Sequence, residues 1–329
     1  MFLLKKARLL IVIFLLIVIG ILCLAFDKVD KDINVKIEEG LSTTRIADVL
    51  KENGVIKSKT IFLLNVKFSK YQGKLKYGNF EFEKGDSYLD VIRKLAENGA
   101  KKETVTITIP EGYSVEKIIE KLASSGFGTK EEIKAALNDE YDYAFIKHIK
   151  NTSDCKYKLQ GFLFPATYEF YTDDTPHKII DTMLKEFEKQ YNSLGVSYDN
   201  LYEIITKASI IEREAKLDKE RAKIAGVIEN RLKKGMRLQI DATVVYAISD
   251  GLYDVERVLY KDLENNSLYN TYKYTGLPVG PIANPGLKSI KAAINPEKQN
   301  YLYYRTDENK NDGSHNFTEN FQSHVNANG

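Results

Sequence analysis

The chain has 329 residues, which at roughly 100–200 residues per domain leaves room for two folded units beyond any membrane segment. With 43% hydrophobic and 29% charged residues it has the make-up of a globular protein, which excludes a disordered chain. Lysine and arginine number 48 against 46 acids, and the net charge of +2 gives no field for steering a polyanion, which speaks against nucleic acid as a partner.

Leu9 to Phe26 is an uninterrupted apolar run of 18 residues. As a helix rising 1.5 Å per residue it would be about 27 Å long, close to the hydrocarbon thickness of a bilayer. Lys5, Lys6 and Arg8 precede it, and basic flanks stay cytoplasmic. The expectation is a single-pass cell-membrane protein with residues 1–8 in the cytoplasm, 9–26 spanning, and everything after facing outward. A cleaved signal peptide fits less well, because the run exceeds the usual apolar core and no small-residue cleavage site follows. Cys23 lies inside the run and Cys155 stands alone, so no disulfide framework is expected.

From 27 to 124 one pattern occurs three times: a short strand, a glycine, a serine two places on, then an amphipathic helix. The glycines are Gly40, Gly85 and Gly112, and Ser42, Ser87 and Ser114 are placed to cap the helices. Ser87 with Asp90 fits a capping box. The apolar faces carry Ile46 and Leu50, Val91 and Leu95, Ile118 and Leu122. Glycan-binding LysM modules look like this, and a spacer built by repeating a stable unit explains the pattern as well. Residues 125–150 read as a charged helical connector with Thr129 as N-cap, and the expected domain boundary lies there.

Residues 151–329 then form a second domain, with helices near 175–193, 200–217 and 219–234 followed by loops rich in Tyr, Asn, Pro and Gly. On a helical wheel Leu201, Ile204, Ile205, Ala208, Ile211 and Ala215 make one apolar stripe with Glu212 near its centre, while Glu203 and Glu214 fall opposite. A charge on a core-facing stripe is costly unless paired, and desolvation favours the protonated carboxyl that a general acid needs. The bland reading is a buried structural pair, for which Arg231 is an available partner. Asp241 and Glu229 are the candidates for a second carboxylate, should the chemistry need two.

Ala208-Ser-Ile-Ile-Glu212 resembles the endolytic murein transglycosylases, the MltG or YceG-like family, and the likeness runs on in order through much of the chain. It includes Asn230-Arg-Leu232, Met236-Arg-Leu-Gln239, Asp241-Ala-Thr-Val244, Tyr269-Asn-Thr-Tyr272 and the segment Gly276-Leu-Pro-Val-Gly-Pro-Ile-Ala-Asn-Pro-Gly286. Tyr301-Leu-Tyr303 and His315-Asn-Phe-Thr318 follow, and Gly161-Phe-Leu-Phe-Pro165 matches upstream. The sequence departs from the family at Gln160 and Ala166, where acids are usual, and at Ala242 and Val279, where prolines are.

The resemblance implies an α+β chain: an N-terminal transmembrane helix, LysM-like strand-turn-helix subdomains and a mixed α/β YceG-like catalytic domain. It implies Glu212 as the catalytic residue and cleavage of the N-acetylmuramic acid to N-acetylglucosamine bond of nascent peptidoglycan, while the sequence has no HExxH, CxxC pair, P-loop or GxGxxG at a strand-to-helix turn, so no metal or cofactor is expected. The product end would be 1,6-anhydro-N-acetylmuramic acid and strand elongation would stop, beside the peptidoglycan synthases (penicillin-binding proteins). Gln239, Asp241, Tyr246, Asn270, Tyr272, Asn284 and His315 lie in matching motifs or among the neighbouring aromatics and are the expected sugar contacts. Tyr301 and Tyr303 offer further flat surfaces. The competing readings are an ordinary muramidase with a second acid, and a catalytically silent wall-binding protein.

Overall fold

The strand, glycine-x-serine, helix pattern is realised three times. Strands β1 (Ile33–Ile37), β2 (Gly78–Phe82) and β3 (Thr104–Thr108) precede Gly40, Gly85 and Gly112. Helices α1 (Thr43–Glu52), α3 (Tyr88–Glu97) and α4 (Val115–Ser124) follow. Gly112 sits at φ 79°, where a side chain would be strained, and that left-handed step turns the chain into the helix. Ser42 accepts from the Arg45 amide and Ser114 from the Lys117 amide, satisfying N–H groups a helix start leaves open. The Ser87–Asp90 box is present in both directions.

The structure, a computed structural model, describes residues 28–97, 104–150, 153–253, 255 and 258–327. The expected anchor at 9–26 lies outside them. No helix of the described residues is long and apolar enough to cross a membrane.

The chain divides into two compact units, Met1–Thr104 and Val105–Gly329. In the first, β1 pairs antiparallel with β2, Ile33 opposite Phe82 and Ile37 opposite Gly78. Between them run α1 and α2 (Lys59–Phe68). Val35, Ile37, Leu50, Phe62, Phe82 and Leu95 fill this core, where Phe62 meets Tyr88 edge-on at 6.3 Å.

The second unit starts earlier than the expected boundary at 125–150. Ile107, Ile109, Val115, Ile118 and Leu122 are buried in one core with Phe162, Ile179 and Phe187, so the third repeat belongs to the larger unit. The expected connector belongs there too. Helix α5 (Lys130–Ala136), closed by a Thr129–Glu132 capping box, puts Ile133 into the same core. Strand β4 (Thr167–Tyr171) pairs with β3.

Helices α6 (Pro176–Asn192), α7 (Leu201–Glu214) and α8 (Arg221–Lys233) match the expected helices to within a few residues. They are followed by α9 (Asp241–Ser249), α10 (Leu287–Ile294), an antiparallel hairpin of β5 (Tyr303–Thr306) and β6 (His315–Thr318), and α11 (Phe321–Asn326). Helix α7 is the centre of the unit, packed against α8, α9 and α10. Residues 205–211 are all buried, so this helix has a core on more than one side and no broad solvent face.

Candidate active site

The last turn of α7 carries two carboxylates that point to different neighbours. Glu212, its side chain 6% exposed, accepts from Arg221 Nη1 at 3.1 Å through Oε1 and from the Gly286 amide at 2.9 Å through Oε2. Arg221 also donates to Asp218 at 3.1 Å and to Ser289 Oγ at 2.6 Å. Both Glu212 oxygens are thus held by partners inside the frame. The expected partner Arg231 is employed elsewhere, donating to the carbonyls of Leu302, Arg237 and Leu238.

The turn before α4 closes over the same spot. Glu111 packs so tightly against Gly286 that a side chain there would collide with its carboxylate. Burial pushes the Glu111 carboxyl above the usual range, and the neighbouring charge of Glu212 pushes the same way. Sequence reading passed over Glu111 because it sits in a turn, outside any periodic element.

Glu214 lines a groove of 520 Å³ together with Gln239, Asp241, Tyr272 and His315. This volume lies in the range of small-molecule sites, roughly 300–1,000 Å³. Burial raises the Glu214 carboxyl above its ordinary range. The Tyr304 hydroxyl, donating to Oε2 at 2.8 Å, pulls it down, and the charge of Asp241 pushes it up again. Oε1 takes no hydrogen bond from the described residues. The wheel places Glu214 opposite the apolar stripe, which is right; what lies on that side is the groove.

The groove brings together four of the expected contacts. Gln239 is held at φ 52°, its amide on the Thr271 carbonyl. Asp241 opens α9 and accepts from the Tyr272 hydroxyl at 2.5 Å. His315 lies 2.8 Å from Glu220 through Nδ1, which fixes its ring. Tyr303 is also in the lining.

Three expected contacts are spent on the frame instead. Tyr246 is buried on α9 with its ring 4.7 Å from that of Tyr269. Asn270 donates to the carbonyls of Leu263 and Asn265 and accepts from the Tyr272 amide, so it builds the loop that presents Tyr272. Asn284 accepts from the amides of Gly161 and Leu163 and donates to the Tyr113 carbonyl, fastening three segments at a point with no exposure. Asn270 and Asn284 are buried polar groups engaged by the frame, the usual state of such groups. Glu229, considered as a second acid, is paired with Lys207 at 2.5 Å. Tyr301 packs against Phe317, outside the groove lining.

Of the four departures from the family pattern, none lines the groove. Gln160 is buried and accepts from the Val115 amide at 2.9 Å, so an amide serves there as the frame's acceptor. The Val279 carbonyl accepts from Tyr202.

The sequence profile of the YceG-like family matches residues 35–328. The chain is 38% identical over 324 residues to the endolytic murein transglycosylase of Bacillus subtilis (strain 168), across 92% of this chain and 86% of that one. It is 31% identical over 303 residues to the endolytic murein transglycosylase of Streptococcus pneumoniae serotype 2, across 84% of this chain and 54% of that longer one. The crystal structure of a yceG-like protein of Listeria monocytogenes superposes with a TM-score of 0.58 at 32% identity, covering 90% of this chain and 99% of that one. Profile, sequence and structure coincide over nearly the whole length, and the chain belongs to the YceG-like family.

Proposed function

We propose that this protein is a lytic transglycosylase of peptidoglycan glycan strands and that Glu214, rather than Glu212, is its acid and base. The relatives named above as endolytic murein transglycosylases support the activity. The observation that carries the residue is the placement of Glu214 in the groove with one carboxyl oxygen unengaged, its protonated form favoured by burial. Glu212 has both oxygens occupied by Arg221 and Gly286.

A single carboxyl group suffices if the substrate supplies the nucleophile. Protonated Glu214 gives its proton to the bridging oxygen between N-acetylmuramic acid and N-acetylglucosamine as the C1–O bond breaks and positive charge grows at C1. The resulting carboxylate takes the proton of the muramic C6 hydroxyl as that oxygen bonds to C1. The products are a 1,6-anhydro end and a free N-acetylglucosamine end, and Glu214 is protonated again. Tyr304, bonded to the other carboxyl oxygen, holds the acid in place through both transfers.

The second acid in the groove, Asp241, favours an alternative in which water is activated and the products are reducing ends. Its bond to Tyr272 makes it a sugar-orienting group in the reading preferred here. Mass spectrometry of digested strands separates the two, with anhydro ends expected. Glu214→Gln should lower turnover by about 10²–10⁴-fold, while Glu212→Gln, which keeps an acceptor for only one of its two donors, the Gly286 amide or Arg221, but lies outside the groove lining, stays within about tenfold of wild type if folded. The opposite pattern, with Glu212→Gln folded but inactive and Glu214→Gln active, would return the role to Glu212.

An anchor at Leu9–Phe26 with basic residues before it would hold the enzyme at the outer face of the cell membrane, where nascent strands emerge from the synthases and cutting them ends elongation. The first unit, in which a strand-helix-helix-strand arrangement is followed by α3, suits a LysM-like role on the same glycan strand.

A further inference from the structure

Phe321 is the first residue of α11 and is 63% exposed, yet it lines the same groove as Glu214. It is not a loose side chain at a chain end. Asn320 caps the helix by accepting from the Ser323 amide at 2.9 Å, and the Phe321 ring lies 5.9 Å from that of Tyr303. Tyr303 is itself clamped, with the Arg231 guanidinium 4.9 Å from its ring centre and the His324 ring stacked on it at 5.2 Å and 27°. Arg231 is fixed by the carbonyls of Leu302, just before β5, and of Leu238. The result is a column, Arg231 to Tyr303 to Phe321, of which the last member offers an open aromatic surface to the groove.

We infer that Phe321 is a sugar-stacking platform that takes the apolar face of a pyranose ring in the strand lying along the groove, next to the ring whose bond is cut. This rests on the proposed activity on glycan strands. A pyranose has a C–H face that packs on an aromatic ring and a rim of hydroxyls that needs polar partners. The groove supplies both, with Phe321 for the face and Gln239, Asp241 and Tyr272 among the polar lining for the rim.

The test is binding without turnover. Full-length protein carrying Glu214→Gln, in detergent, is titrated calorimetrically with short peptide-free peptidoglycan strands, alone and with Phe321→Ala or Phe321→Trp added. Phe321→Ala should weaken binding about tenfold and Phe321→Trp should restore it. Thermal unfolding of the three should coincide, because Phe321 is exposed. In the Glu214 parent, kcat at saturating strand should be unchanged by Phe321→Ala while KM rises about tenfold. Equal binding by the Ala and Phe forms, or Trp as weak as Ala, overturns the platform and leaves the catalytic reading standing. Failure of all three proteins to bind strands overturns the substrate reading and the platform with it.

Discussion

Glu212 and Glu214 stand two positions apart in the last turn of α7, and they differ in the company each keeps. One is held by a guanidinium and a backbone amide, the other by a single tyrosine hydroxyl at the wall of a groove. The helical wheel correctly read Glu212 as turned inward, and its bland interpretation, a buried structural pair, is what the geometry describes, with Arg221 in the place foreseen for Arg231. The sequence could not tell groove from solvent on the other side, because both accept polar residues. A pH dependence follows from the Glu214 environment. Burial raises its carboxyl in the folded chain above the unfolded value, so the charged form is penalised only when folded. Stability is therefore complete below the unfolded value, near pH 4, and is given up as pH rises through the folded one. Glu214→Gln removes the penalty. Its thermal midpoint should exceed that of wild type at about pH 8, and the gain should fade as pH falls to about 4. A gain that does not vary with pH would contradict a raised carboxyl at this position.

Among elements, the helix starts were the most legible features. Ser42, Ser87 with Asp90, Ser114 and Thr129 cap as expected, since capping is a local matter of side chain and nearby amide. Close approach between elements is not local and stays hidden. Gly226 lies in the middle of α8, where alanine is the better helix former by about 1 kcal/mol. A Cβ there would collide with the carbonyl oxygen of Glu297 and the amide of Gln299. Overpacking of this kind costs about 1–3 kcal/mol, and a backbone oxygen cannot swing aside as a side chain can. Gly226→Ala is therefore expected to lower the denaturation midpoint despite its propensity, measured by chemical unfolding followed by circular dichroism. An increase would mean that the segment after α10 yields easily. Asn270 and Asn284 belong to the same lesson: their motifs were visible, but whether a buried amide touches a ligand or ties a loop depends on residues far away in sequence.

For the whole molecule, the third repeat misleads because it obeys the same local rules as the first two. Its apolar face is used differently, with Ile107, Ile109, Ile118 and Leu122 filling the core that holds α6 and α7. Two fragments separate the boundaries. A fragment of residues 105–329 should unfold in one cooperative transition, and a fragment of 151–329, stripped of those residues and of α5, should fail to do so, as read by calorimetry. If 151–329 folds as well, residues 105–150 are an appendage after all. The clamp on Glu212 has a bearing on how ligands are received. Because Arg221 and the Gly286 amide grip α7 at its last turn, the part of the lining that carries Glu214 is braced, whereas another part is the six-residue helix α11. A compound shaped to the acid must meet a fixed surface, and adaptation to strands of different substitution, or resistance to an inhibitor, would arise on the Phe321 side.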